Sequence, residues 1–141
     1  MAGRETLTMI KPHAVENGNM GNILAMILDA GFTIKAIKMV KLSLHQAKEF
    51  YKIHEEREFY GPLTEFMSNG PIIAAILEKD NAVEDYRKFI GSTDPTKAEE
   101  GTIRKLFGKN TRENAVHGSD SDENALIEAD FFFSKMERYY N

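Results

Sequence analysis

The sequence predicts an α+β fold in which helices cover a four-stranded antiparallel sheet. Short apolar and β-branched runs of strand length alternate along the chain with segments whose apolar residues recur at helical spacing. Residues 72–77 form one uninterrupted apolar run, which is typical of a central strand buried on both faces. The chain has 141 residues, of which 42% are apolar, and this length suits one hydrophobic core. Because the chain shows no internal repeat, low-complexity tract or boundary, we expect residues 1–141 to form a single domain.

The first three elements follow from their own residue patterns. Residues 6–10 predict a strand, because they are β-branched or apolar and are followed by the stop signal Lys11 and Pro12. Residues 32–42 are rich in Ile, Val and Met and predict a second strand, although their alternation is imperfect. Between them we expect a helix that ends at Gly31 and whose apolar residues recur at helical spacing, namely Met20, Ile23, Leu24, Ile27 and Leu28.

Two short helices are predicted before the central strand. Ser43 with Gln46 three residues later forms a capping box at the start of the first helix. Pro62 suits the first turn of the second helix, which should end at residues 69–71, the sequence Asn-Gly-Pro. One face of the first helix continues through Ala47, Phe50, Tyr51 and His54.

After the central strand we expect a helix that Asn81 and Glu84 cap and Gly91 ends. The polar stretch 92–101 is rich in turn residues, which indicates an ordered loop rather than a disordered linker.

The last elements are a short helix, a brief strand and a final helix. Thr102 can cap a helix through Phe107, residues 114–117 predict the strand, and Ser121 opens a helix through about Asp130. The order along the chain is therefore β-α-β, a helical hairpin, β-α, a long loop and β-α. Two βαβ-like halves of this size predict a ferredoxin-like sandwich.

Composition excludes several classes of protein. The chain has no Cys, which excludes disulfides, thiolate metal sites and Cys nucleophiles. No apolar run approaches the ~20 residues of a membrane span, and residues 1–5 do not resemble a signal peptide, so we expect a cytoplasmic protein without a membrane partner. The formal charge of −4 argues against a long nucleic acid as partner. Five carboxylates lie between Ser119 and Asp130, and without them the remainder carries +1, which still allows a small anionic ligand.

Residues 114–120, Asn-Ala-Val-His-Gly-Ser-Asp, are the most informative stretch. His117 stands at the end of a predicted strand, and Gly118 after it would let the backbone approach a ligand closely. A neutral imidazole is a competent nucleophile near pH 7, and Glu128 on the following helix could orient it. On spacing alone, a loop histidine whose hydrogen bonds are merely satisfied is the more frequent alternative. The chain has no glycine loop of the two common nucleotide-binding types and no zinc-ligand spacing.

Three cations, Lys11, Arg87 and Arg104, each lie near the end of a predicted element. Together they could hold a triphosphate in place of a glycine-rich loop. Taken singly, each is equally well explained as a solvated surface base.

With those residues the chain closely resembles nucleoside diphosphate kinases from about Thr6 to Glu128. The most specific match is 114–120, the signature of that family around its phosphorylated histidine. Several shorter matches occur earlier in the chain, in the same order as in the family: Lys11-Pro12, Tyr51, Arg57-Glu58-Phe59, the stretch 91–95 and the stretch 101–104.

The resemblance implies a helical-hairpin insertion at residues 43 to about 67 and a ping-pong reaction through phosphorylated His117, with Mg²⁺ as cofactor and nucleoside tri- and diphosphates as substrates. It implies that Lys11, Arg87, Thr93 and Arg104 hold the phosphates, with Lys11 and Asn114 also near the ribose hydroxyl. Phe59 would stack on the base, Tyr51 would lie beside the histidine, and Glu128 with Ser119 would position it. A homo-oligomer, tetramer or hexamer, is also implied, with the loop around Pro95 in subunit contacts.

The chain departs from the family pattern at two places. His13 stands where the family usually has Asp, and Thr111 and its neighbours replace an apolar residue that often covers the second face of the base. The aromatic tail 131–141 is expected to be a strap on the core or part of a subunit interface. His45 and His54 are expected to be surface or packing residues.

Two other classes of function are alternatives to an enzyme. Ferredoxin-like sheets also bind RNA, but these strands lack interleaved basic and aromatic residues. A ligand-sensing, nucleotide-binding or oligomeric interaction module without catalysis would need no nucleophile. Labelling of His117 by a triphosphate discriminates the enzyme from both.

Overall fold

The computed structural model describes residues 3–140, in which one antiparallel sheet is covered by helices on both faces. The strands are β1 (Glu5–Ile10), β2 (Thr33–Val40), β3 (Ile72–Glu78) and β4 (Val116–Gly118), and their order in the sheet is β2-β3-β1-β4. The helices are α1 (Pro12–Glu16), α2 (Met20–Asp29), α3 (Leu44–Phe50), α4 (Tyr60–Met67), α5 (Ala82–Ile90), α6 (Ile103–Phe107) and α7 (Asp122–Phe132). Short 3₁₀ turns lie at Lys52–His54, Pro95–Lys97 and Lys135–Glu137. The predicted fold class and the helical hairpin are confirmed.

The centre of the sheet is the pair β1 and β3. Their antiparallel register runs from Glu5 opposite Glu78 to Ile10 opposite Ile73. Residues 72–77 are all buried, as expected for an apolar run that has helices above and below it. On the other side of β1, Met9 lies opposite His117, so the shortest strand is held directly against a central one.

Alternate residues of the central strands supply two separate cores, because successive side chains of a strand point to opposite faces. Leu7 and Ile76 pack in the core that contains residues of α3, α4 and α7, and Ile10 and Leu77 pack in the core that contains residues of α2 and α5. The hairpin and α7 therefore share one face of the sheet, which brings the hairpin next to the end of β4.

A β-bulge in β2 explains the imperfect alternation of apolar and polar residues in that strand. Its register against β3 shifts between Ile34 and Ala36, so Lys35 lies in a β-bulge. One extra residue there interrupts the alternation that the sequence would otherwise show.

Most predicted helix caps are confirmed. The capping box of Ser43 and Gln46 has both reciprocal hydrogen bonds, and the side chains of Thr102 and Ser121 each accept a backbone N–H of the helix that follows. Asn81 occupies the predicted N-cap position of α5, but its side chain does not make the expected cap bond. Asn81 is left-handed with φ of 54°, and its amide donates to the Glu84 carboxylate at 3.2 Å instead of accepting a backbone N–H.

Several boundaries differ from the prediction, and β2 ends at Val40 rather than at residue 42. Pro12 was expected only to stop the first strand, but it is the first residue of α1, because its fixed φ and missing N–H suit that position. The last strand begins at Val116 rather than Asn114, because the backbone turns at Ala115 with φ of 75°. The final helix continues to Phe132 and buries that ring in the core.

The tail after α7 lies across β2. Phe133 is buried, the Tyr139 N–H donates to the Lys35 carbonyl at 2.7 Å, and Glu137 pairs with Lys38 at 2.9 Å. These contacts match the strap predicted for the tail. Asn141, the last residue of the predicted tail, lies outside the described residues, as do Met1 and Ala2.

Candidate active site

A cavity of about 480 Å³ opens between the helical hairpin, the end of β4 and the loop that precedes β4. It gathers nine of the ten predicted site residues, and the tenth, Ser119, is buried directly behind it. The nine are Lys11, Tyr51, Phe59, Arg87, Thr93, Arg104, Asn114, His117 and Glu128.

His117 is held by one carboxylate oxygen. Its Nε2 lies 2.8 Å from Oε1 of Glu128, and the Ser119 hydroxyl donates to the same oxygen at 2.8 Å. An ionised carboxylate can only accept, so Nε2 carries the ring proton and Nδ1 keeps its lone pair. The arrangement fixes both the orientation and the tautomer of the imidazole.

Two aromatic rings flank the imidazole. The Phe50 ring meets it edge to face with centroids 5.4 Å apart, and the Tyr51 ring does so at 6.2 Å. The Tyr51 hydroxyl is buried and has no protein partner among the described residues. Burial, with a smaller contribution from Glu128, raises the pKa of Tyr51, so the phenol is a neutral hydrogen-bond donor.

Hydrogen bonds from β1 and α5 hold the backbone of His117 in place. The Thr8 hydroxyl donates to the His117 carbonyl at 2.8 Å, and the Tyr86 hydroxyl lies 2.6 Å from the Thr8 oxygen. Because Thr8 donates its only hydroxyl proton to the His117 carbonyl, Tyr86 must be the donor in the bond between the two hydroxyl groups. The nucleophile candidate thus rests on a buried polar chain that reaches α5.

A strained turn precedes β4. Ala115 has φ of 75°, and across it the Val116 N–H donates to the Asn114 carbonyl at 2.9 Å, the pattern of a γ-turn with positive φ. Asn114 is buried and donates its side-chain amide to the carbonyls of Thr93 and Thr111 at 3.0 and 3.1 Å, while its Oδ1 has no protein partner among residues 3–140. The amide therefore ties the two loops that border the cavity.

One buried and one half-buried cation, Lys11 and Arg104, line the cavity. Burial, and then the nearby Arg104, lower the pKa of Lys11 to about 7, and its Nζ donates to the Arg112 carbonyl at 3.2 Å. Arg104 donates to the carbonyls of Gly91 and Val116 at 3.1 and 3.0 Å, and burial is the main cause that lowers its pKa to about 10. Backbone carbonyls thus hold both side chains in place, but these carbonyls carry no full negative charge that would neutralise the two cations.

The charge of the cavity is positive. Four bases line it against the carboxylates of Asp120 and Glu128. In the described part of the chain, none of Lys11, Arg87 and Arg104 forms an ion pair with a carboxylate. Cations without a counter-ion at a cavity wall are suited to a polyanion.

Part of the cavity wall is aromatic and open. Phe59 is 47% exposed, and the His54 ring lies against it with centroids 5.4 Å apart. His54 therefore belongs to the cavity wall and is not only a surface residue. Thr111 and Arg112 also line the cavity.

Sequence reasoning missed several wall residues. Phe50, Ile53, Leu63, Arg112 and Asp120 all line the cavity. Phe50 was placed on a helical face together with Tyr51, but nothing in the pattern indicated which of the two would reach His117.

Gly118 lines the cavity and also packs closely against α5. A Cβ at Gly118 would lie 3.0 Å from a ring carbon of Tyr86, so a larger residue there would require the Tyr86 ring to shift by a few tenths of an ångström. Gly118 is the last residue of β4 and is not among the glycines with positive φ. Close approach of the backbone to a ligand at Gly118 stays a prediction.

Among residues 3–140, no group of three carboxylate, His or Cys side chains is placed to hold a metal ion. Within the same residues, no helix has the length and apolar character needed to cross a bilayer.

Comparison with known proteins decides the family. The family model described as nucleoside diphosphate kinase matches residues 4–138. The chain belongs to that family. This confirms the predicted resemblance and, with it, the prediction of an enzyme that transfers phosphoryl groups between nucleotides, rather than an RNA-binding or non-catalytic module.

Relatives with this family name align over nearly their whole length. The chain is 56% identical to a nucleoside diphosphate kinase of Flavobacterium psychrophilum over 99% of this chain and 100% of that protein. It is 49% identical to one from Persephonella marina, over 97% of this chain and 98% of that protein.

Solved structures of the family superpose closely. The Aquifex aeolicus nucleoside diphosphate kinase has a TM-score of 0.94 at 43% identity, covering 96% of this chain and 99% of that one. The Halobacterium salinarum nucleoside diphosphate kinase, solved in complex with CDP, has a TM-score of 0.92 at 30% identity, covering 97% and 91%.

Proposed function

We propose that this nucleoside diphosphate kinase family member works by a ping-pong mechanism in which Nδ1 of His117 accepts the γ-phosphoryl group of a nucleoside triphosphate and passes it to a nucleoside diphosphate. The observation that carries the proposal is the bond between His117 Nε2 and Glu128, at 2.8 Å inside a cavity lined by cations. It leaves Nδ1 as the ring atom with a free lone pair.

In the first half-reaction the Nδ1 lone pair forms a bond to the γ-phosphorus, and the bond from that phosphorus to the bridging oxygen breaks. The electron pair leaves with the nucleoside diphosphate, and the imidazole becomes a cation that still carries its Nε2 proton. Glu128 opposes that positive charge without taking the proton, as a carboxylate does behind a catalytic histidine. The second half-reaction is the reverse, with a different nucleoside diphosphate as acceptor.

Charge on the phosphate oxygens is opposed by Lys11, Arg87 and Arg104, with the Thr93 hydroxyl as a further donor. Phosphoryl transfer requires mostly positioning and electrostatic stabilisation from the protein, which these groups can supply. The neutral phenol of Tyr51 adds one more donor beside the histidine.

At the nucleoside end of the substrate, Phe59 stacks on the base, and Asn114 and Lys11 lie near the ribose hydroxyl. The unpartnered Oδ1 of Asn114 is an acceptor suited to a hydroxyl group. Every base has a π-face, so stacking on one phenyl ring predicts broad base specificity.

The divalent cation of this reaction is proposed to be Mg²⁺. The cavity wall offers Asp120 as its one carboxylate besides Glu128, and Glu128 is already occupied. That donor set fits an ion held mainly by substrate phosphates and water. When bound, the ion would neutralise phosphate charge, and Asp120 is the residue placed to hold its water.

We further propose a homo-oligomer, tetramer or hexamer, in the cytoplasm. Edge strand β2 exposes Ile37 and Met39 by 46 and 52%, and Leu28 of α2 is 50% exposed. Exposed large apolar side chains of this kind favour association. The absence of Cys suits a reducing compartment. The molar mass in solution distinguishes monomer, tetramer and hexamer.

The mechanism is tested by phosphoenzyme exchange. The protein is incubated with γ-labelled triphosphate and Mg²⁺, separated from nucleotide, and then given an unlabelled diphosphate with a different base. We expect an acid-labile, alkali-stable label that leaves with the second nucleotide. It should be absent in His117→Ala and present in His45→Ala, a control at an exposed helix residue. Normal labelling of His117→Ala would refute the mechanism.

A further inference from the structure

His13 lies outside the cavity wall but contacts the turn before His117. The Ala115 N–H donates to its Nε2 at 3.2 Å, and its ring packs at a tilt on Phe66 with centroids 5.5 Å apart. The other ring nitrogen, Nδ1, is buried and has no protein partner among the described residues. Because a backbone N–H can only donate, Nε2 must hold a lone pair, and the proton of the neutral ring must be on Nδ1.

The backbone of Ala115, which His13 holds by a hydrogen bond, is strained. A residue with a Cβ at φ of 75°, as Ala115 has, is strained and persists only where its surroundings enforce that conformation. Two contacts enforce it here. His13 accepts the Ala115 N–H, and the Lys11 backbone N–H donates to the Ala115 carbonyl at 2.9 Å.

The turn connects two parts of the site. Asn114 immediately precedes Ala115 and ties the loops at the cavity mouth, and β4 with His117 begins at the next residue. A rotation of the Ala115 peptide would therefore displace the Asn114 side chain and the start of the strand that carries the nucleophile.

Protonation of His13 would break this contact. An imidazolium carries a proton on both nitrogens, and Nε2–H would then face the Ala115 N–H. The charged groups around the ring are Lys11, Lys109 and Glu113. Burial is the largest influence on the pKa of His13 and lowers it; Glu113 raises it, Lys11 and Lys109 lower it, and the net shift is downward from 6.5. The surroundings thus favour the neutral ring that the contact requires.

We propose that His13, in its neutral Nδ1–H form, is a positioning residue for phosphoryl transfer, holding the Ala115 turn so that Asn114 and His117 face the substrate. This inference rests on the proposed function for its consequence in catalysis. The acceptor at Nε2 holds the turn through its hydrogen bond with the Ala115 N–H, and the bulk of the ring is not what is required.

Two variants separate the acceptor from the bulk. In His13→Gln the amide oxygen can take the position of Nε2 and accept the Ala115 N–H, whereas His13→Leu fills the space with no acceptor. We expect His13→Leu to lower kcat/KM for phosphoryl transfer about tenfold or more, mainly through kcat. His13→Gln should stay within about threefold of the unmodified protein, as should the control His45→Gln. Equal kcat/KM for the Leu and Gln variants would overturn the proposal.

A measurement on the unmodified protein does not depend on whether the Leu variant folds. Nitrogen-15 NMR of the His13 ring at about pH 7 should show an unprotonated Nε2 and a protonated Nδ1. A ring protonated at Nε2 would overturn the proposal directly. If the protein forms no phosphohistidine at all, the proposed function fails while the tautomer remains measurable. If it forms one and the Leu and Gln variants are equal, only the role of His13 fails.

Discussion

His117 and Glu128 are joined by a hydrogen bond of 2.8 Å that also decides which nitrogen of the imidazole is free. The Ser119 hydroxyl donates to the same carboxylate oxygen at 2.8 Å, so that oxygen accepts two hydrogen bonds, one from β4 and one from the residue after it. The pair resembles the histidine and carboxylate of other nucleophilic sites, where the carboxylate orients the ring and opposes its positive charge.

Glu128→Gln should lower kcat by roughly 10- to 100-fold with little change in nucleotide KM. The amide keeps the size of the carboxylate but loses the charge that opposes the imidazolium, which forms only as phosphorus is attacked. Steady-state kinetics measures the split between kcat and KM. Glu123→Gln, an exposed acid on the same helix, is the matched control and should behave like the unmodified protein. An unchanged kcat in Glu128→Gln would remove the carboxylate from the mechanism.

Arg104→Gln should lower kcat/KM by roughly 100-fold, because a cation that opposes charge on a transferring phosphoryl group acts most strongly in the transition state. The side chain also bonds two backbone carbonyls, so the kinetics are compared at equal native fraction, measured by circular dichroism. Lys88→Gln, at an exposed base on the adjacent helix, is the control. Loss of activity that merely parallels loss of native protein would contradict the electrostatic role.

Lys11 carries a cost in stability that depends on pH. Its folded pKa of about 7 lies below the ordinary 10.5, so the unfolded chain binds more protons between those values. The free energy of unfolding contributed by Lys11 should therefore rise as pH increases from about 7 to 10.5, and the penalty should be full below about pH 7.

Lys11→Met removes that penalty. We expect it to be more stable than the unmodified protein by on the order of 1–3 kcal/mol near pH 6.5, with the difference shrinking toward pH 10, while phosphoryl transfer falls sharply. Urea unfolding at several pH values measures this. Lys48→Met, at an exposed position, should show no such trend. A stability difference that is independent of pH would mean that Lys11 is not titrating in this way.

Phe59→Ala should raise KM for every nucleoside diphosphate by a similar factor, since stacking contributes roughly 1–3 kcal/mol for each base. The value of kcat should change little, because the ring lies far from the phosphoryl end, and Phe59→Tyr should restore binding. Leu106→Ala, an exposed apolar residue outside the cavity, is the control. An increase in KM confined to one base would indicate hydrogen-bonded recognition in place of stacking.

The fold and the His117 motif could be predicted because their signals are local in the chain. The run 72–77 predicts its own burial, and the capping box at Ser43 involves two residues three apart. His117 and Ser119 belong to one short motif, and Glu128 lies about two helical turns into the next helix. The three cations required the family resemblance, because nothing in the pattern around each one says that they converge.

What could not be predicted depends on contacts between distant segments. Phe50 and His13 reach the site only because the hairpin and α1 pack beside β4. The pattern N-x-x-E at Asn81 predicts a cap, but a left-handed backbone turns the side chain away from the helix N–H groups. The packing of Gly118 against Tyr86 could not be predicted for the same reason, since Tyr86 is more than 30 residues away in the chain.

The most direct test of the account is the identity of the phosphorylated ring atom. The protein is loaded with phosphoryl groups from a nucleoside triphosphate, hydrolysed in alkali, and the two phosphohistidine isomers are separated. The hydrogen bond from Nε2 to Glu128 predicts the Nδ1 isomer, at His117 and nowhere else. Recovery of the Nε2 isomer, or of no phosphohistidine, would contradict the account.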